Sequence, residues 1–78
     1  MNGYSVRVVA NAIAGFLDAH PSCADSIEGI EQWWLRPQGI TPPVDVIARA
    51  LDLLEMEQVI ESHRAGSRAI WCLHKTAD

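Results

Sequence analysis

The chain has 78 residues and a mass of 8.6 kDa, with 10 Asp+Glu against 6 Lys+Arg, a formal charge of −4 and a pI near 5.1. Its 49% hydrophobic and 21% charged residues are an ordinary globular mix, which excludes a disordered or fibrous chain. One domain over residues 1–78, with an ordered core over about 5–75, is all this length accommodates, and a domain this small buries only roughly 60% of its unfolded surface. A deep catalytic cleft with its own supporting shell does not fit, so no enzymatic activity is expected.

No run approaches the roughly 20 apolar residues needed to span a bilayer. Residues 1–9 hold Arg7 as their only base and no long apolar stretch, so no signal peptide is read and a cytoplasmic location is expected. Two cysteines, Cys23 and Cys72, are too few for a disulfide framework and read as small buried hydrophobes.

In the first segment Val6, Val9, Ala10, Ile13, Phe16 and Leu17 recur at helical spacing, with Ser5 as N-cap and Pro21 as stop. A second helix opens at Asp25-Ser26-Ile27-Glu28, read as an Asp capping box in which Glu28 reaches back. On it, Ile27, Ile30 and Trp34 fall within about 60° of one another, and Pro37 and Gly39 end it. At Thr41-Pro42-Pro43 a third helix begins, with Thr41 as cap and Pro42 at the first position. Val44, Ile47, Leu51, Leu54 and Gln58 follow at spacings of three and four, and the helix is expected to end near Glu57.

Beyond that point the period changes to two. Segments 59–64 and 69–74, rich in β-branched and apolar residues, flank a turn at Ala65-Gly66-Ser67-Arg68 and predict a β-hairpin. Trp71 and Leu73 share one of its faces and Ile70, Cys72 and His74 the other; if the bulkier pair faces inward, Ile70 and Cys72 become surface.

Three helices followed by a hairpin is the order of the winged-helix variant of the helix-turn-helix, an α+β fold. Ile40-Thr41 before the third helix, then Val44…Ala50-Leu51…Leu54, then Val59-Ile60-Glu61 into the hairpin, resembles many bacterial winged-helix domains. The resemblance covers roughly residues 5–75 and implies that the third helix is a recognition helix, that residues near 40 form a one-bridge strand, and that the hairpin is the wing. It implies a fold and not an activity.

A DNA-reading helix needs donors and cations on its exposed face. The polar stripe of the third helix is instead Asp45, Arg49 and Asp52 with Glu55 beside it, and Asp45 is placed to pair with Arg49. By segment the formal charge is −3 over residues 1–35, −2 over 36–57 and +1 over 58–78. The wing, with His63, Arg64, Ser67, Arg68 and Lys75, is therefore the alternative nucleic-acid surface, against the plainer reading of a tip charged for solubility.

Other residues favour another protein chain as partner, in a homodimer or a heteromer. Trp33 lies at the flank of the second helix beside a core Trp34, and tryptophan is enriched at interface hot spots. Val46, Leu53 and Met56 line the far margin of the third helix, and Ile70 adds to them from the hairpin. No cofactor motif is present. His20-x-x-Cys23 and Cys72-x-His74 carry metal-ligand types at spacings unlike those of zinc fingers or ribbons, so no metal site is expected. The reading is a non-catalytic, protein-binding regulatory or accessory module, with a wing-dependent DNA-binding regulator as the alternative.

Overall fold

Helix, strand, helix, helix, strand and strand follow one another along residues 4–74, the part of the chain described by the computed structural model. Helix α1 (Val6–Ala19) starts where the side chain of Ser5, itself extended, accepts the Val8 N–H at 3.1 Å. Its apolar stripe, Val9, Ala10, Ile13 and Leu17, is buried.

A two-residue strand, β1 (Ala24–Asp25), comes next, in a place where no strand is expected from the sequence. Residues near 40, expected to form a one-bridge strand, lie in a loop instead. Gly39 turns the chain there at φ +76° and the Ile40 N–H is spent on the Leu35 carbonyl at 3.1 Å.

Helix α2 (27–38) departs from a plain α-helix in two ways. Its cap is Ser26 rather than Asp25: Asp25 Oδ1 accepts the Ser26 N–H at 2.8 Å and Ser26 Oγ accepts the Gly29 N–H at 3.4 Å, in place of the expected capping box. After one α-turn (Ile27–Gly29) it widens into a π-helix over Ile30–Leu35 and tightens into a 3₁₀ turn at Arg36–Gln38. A π-turn bonds residues five apart, so it brings Ile30 and Leu35 to one side, where both are fully buried. Gly29 lies buried under the Asp25 carboxylate, which a Cβ there would overlap.

Helix α3 (Val44–Met56) is capped by Pro43, whose carbonyl accepts from Val46 and Ile47 at 3.1 and 3.2 Å. The expected start at Thr41 and Pro42 fails because a residue preceding proline is pushed out of the α region, and Pro42 precedes Pro43. The Thr41 N–H donates to Tyr4 Oη at 3.1 Å instead, which holds the phenol below its ordinary pKa. At its other end α3 closes in a Schellman motif, with Val59 N–H to Leu54 O and Gln58 N–H to Glu55 O, and with Gln58 at φ 61°.

Strands β2 (Ile60–Ala65) and β3 (Arg68–Leu73) form the predicted hairpin, with Gly66 at φ 66° in the first central position of a two-residue turn. β1 pairs with the other edge of β3, so the antiparallel sheet has the order β1-β3-β2. The core joins Val9, Ile13 and Leu17 of α1 to Ile30, Trp34 and Leu35 of α2, Ile47, Leu51 and Leu54 of α3, and Ile60 of β2, with Trp71 and Leu73 packed against it. Among the described residues no helix is long and apolar enough to cross a membrane.

An exposed two-pronged ion pair, Arg7 Nη2 to Glu57 Oε2 at 2.7 Å and Nη1 to Oε1 at 3.3 Å, ties the first turn of α1 to the end of α3. Hydrogen bonds from the guanidinium hold the Glu57 carboxyl below its ordinary pKa. A depressed carboxylate pKa adds stability above the unfolded-state value, about 4.3 for Glu, and that stability is lost as pH falls through the folded value. The urea midpoint of wild type is therefore expected to approach that of Glu57→Gln as pH is lowered from 7 to 3, with a small gap at pH 7 because the pair is exposed. A gap that stays constant with pH contradicts this.

Gln58 holds a left-handed conformation that favours glycine. Gln58→Gly is expected to stabilise the fold by about 0.5–1 kcal/mol, raising Tm by roughly 4–8 °C per kcal/mol in a thermal melt.

Candidate functional site

The two adjacent tryptophans of α2 face different ways, as their positions on a helical wheel predict. Trp34 is 3% exposed and stacks on Phe16 of α1 with ring centroids 4.8 Å apart and planes 14° from parallel. Trp33 is 67% exposed. Between the two helices runs a groove of about 350 Å³, lined by Phe16, His20, Trp33, Trp34, Pro37 and Gln38 among others. Its far end is held by Gln38, whose Nε2 donates to the Trp34 carbonyl at 2.6 Å and to the Ala12 carbonyl at 3.4 Å. His20 sits on Phe16 at 4.7 Å, so the groove has an aromatic floor, and Trp33 stands beside it in solvent.

The other residues expected at a protein interface do not gather around Trp33. Met56 is 79% exposed at the end of α3, while Val46 and Leu53 are half-buried and lean on the core. Ile70 is half-buried on the outer face of the sheet. Val44, at the start of α3, is a further exposed apolar residue, and its place among the helix-three core positions conceals it in the sequence.

Along α3, Asp45, Arg49, Asp52 and Glu55 are all exposed, the acidic stripe the sequence predicts. The Asp45–Arg49 ion pair expected from their spacing is not formed: among the described residues Arg7 pairs with Glu57, and the His63 ring hydrogen-bonds Glu61. Glu55 accepts from Ser62 Oγ at 2.9 Å, fastening the hairpin to the helix. On the hairpin, His63, Arg64, Ser67 and Arg68 are exposed, whereas Lys75 lies outside the described residues. A hollow of about 240 Å³ separates the hairpin from the start of α2, between Ser26, Glu28, Arg68 and Trp71.

The chemistry-bearing side chains meet on the outer face of the sheet. Because Ile60 points into the core, Glu61 and His63 point the other way, and the register sets Cys72 directly across from Glu61. Glu61 Oε2 lies 2.8 Å from His63 Nε2 and 3.9 Å from Cys72 Sγ. Cys72 thus meets Glu61 and His63, and the sequence pairing of His20 and Cys23 with Cys72 and His74 is not assembled among the described residues. The missed signal is the two-residue turn at Gly66-Ser67, from which the Glu61–Cys72 pairing could be counted off.

No family model, curated protein or solved structure matches this chain.

The contrast between the adjacent rings is measurable. Trp34→Ala is expected to lower stability by about 3–5 kcal/mol, and Trp33→Ala to change it by no more than about 0.5 kcal/mol, in paired urea titrations. Equal losses would place both rings in the core.

Proposed function

We propose that this chain is a non-catalytic winged-helix module that works by binding another protein, as a regulatory or accessory subunit. The order of helices and strands, with β1 paired to the hairpin, supports the winged-helix reading. Exposed Trp33 beside an aromatic-floored groove carries the binding role. A rigid indole next to a concave apolar surface is the usual makeup of a hot spot, and the fitting partner presents an apolar side chain to the groove and buries Trp33 against itself.

The acidic face of α3 speaks against reading DNA from the recognition-helix position, since Asp45, Asp52 and Glu55 repel phosphates. Arg64 and Arg68, exposed on the wing, favour the second reading, a DNA-binding regulator that relies on that hairpin.

A tagged full chain and its Trp33→Ala variant, compared by pull-down and mass spectrometry, separate these readings. A partner retained by wild type and lost by the variant, with circular dichroism unchanged, is the expected outcome. In parallel, no retention on random duplex DNA at physiological salt is expected. Submicromolar duplex binding abolished by Arg64→Ala/Arg68→Ala overturns the protein-binding reading.

A further inference from the structure

We propose that the outer face of the sheet binds a zinc-class divalent metal ion through the Glu61 carboxylate, the His63 imidazole and the Cys72 thiolate. The three ligand atoms lie within 4.8 Å of one another. Around a tetrahedral ion with bonds of about 2.0 Å to N and O and 2.3 Å to S, ligand atoms sit roughly 3.3–3.6 Å apart. The Glu61–His63 separation of 2.8 Å has to open slightly and the Glu61–Cys72 separation of 3.9 Å to close slightly. The His63–Cys72 separation, which sets the 4.8 Å bound, has to close by about 1.2 Å. Rotation of the exposed His63 and of the Cys72 and Glu61 side chains supplies these changes.

The backbone beneath the cluster is already ordered. Glu61 and His63 alternate on one strand, and the pairs Glu61–Cys72 and His63–Ile70 belong to a continuous ladder from Ile60–Leu73 to Ala65–Arg68. Binding therefore requires no strand to move. Sulfur, nitrogen and oxygen donors together suit zinc better than magnesium or calcium, which prefer oxygen alone. One carboxylate and one thiolate neutralise a divalent ion, and the thiol proton passes to solvent as the sulfur binds. The His63 side chain is 60% exposed, so an ion can reach the cluster from solvent.

The test is titration of the full-length reduced chain with cobalt(II), a spectroscopic stand-in for zinc. The expected result is a 1:1 complex with a thiolate-to-cobalt charge-transfer band, displaced by zinc. Cys72→Ser should abolish the band, His63→Ala and Glu61→Gln should each weaken binding at least about tenfold, and Cys23→Ser should leave it unchanged. His63 is exposed, so His63→Ala tests the site even where Cys72→Ser disturbs folding. Absence of a thiolate band at excess cobalt, a band that survives in Cys72→Ser, or undiminished affinity in His63→Ala overturns the proposal.

Discussion

A single residue, Ser26, separates the end of β1 from the beginning of α2, and the rest of the molecule is arranged around that junction. Asp25 pairs with Trp71 as part of the sheet, its carboxylate holds the Ser26 N–H, and Ser26 caps the helix at Gly29. The start of α2 is thereby fixed to β3 by backbone pairing. Trp71 and Leu73 lie against the core because their strand is held there, and Ile30, Trp34 and Leu35 reach it from the other side because their helix starts there. Gly29 follows from the same junction: the carboxylate that orders the cap occupies the space a side chain would need.

Small size explains the irregular geometry of α2. With few residues in each element, the helix has to supply both Trp34 and Leu35 to the core while ending in time for Gly39 to turn the chain. A regular α-helix sets Ile30 and Leu35 about 140° apart, at 100° per residue, and cannot bury both against one partner surface. The π-turn resolves that conflict by bringing Leu35 round to the side of Ile30, while Trp33 keeps the outward position a regular helix would also give it.

The three helices and the hairpin were legible because each carries a period of 3.6 or 2 over enough residues to repeat. β1 was not, since two residues carry no period and their partner lies near the other end of the described chain. Both misplaced caps fell where neighbouring residues compete: Asp25 and Ser26 both have capping side chains, and the double proline shifts the start of α3 to Val44. Leu35 is invisible to a 100° wheel, and the wheel finds Trp34. Of the site, Trp33 as the outward ring and the acidic stripe of α3 were readable, being matters of position along one helix. The meeting of Glu61, His63 and Cys72 depends on cross-strand register, which a reading along the chain, pairing Cys72 with His74, passes over.

The pairing of Ala24 with Cys72 also carries an entropic cost of its own. Each helix and the hairpin close their own hydrogen bonds on near neighbours in sequence, whereas β1 pairs with a strand separated from it by most of the described chain. Loop-closure entropy rises with that separation, and contacts of long range slow folding. Two residues of backbone pairing are a small reward for so distant a closure, which makes β1 the most weakly secured strand of the sheet. Where that pairing opens, the cap of α2 loses its sheet anchor, and the edge of β3 that β1 covers is left with unpaired backbone groups to which another strand can add.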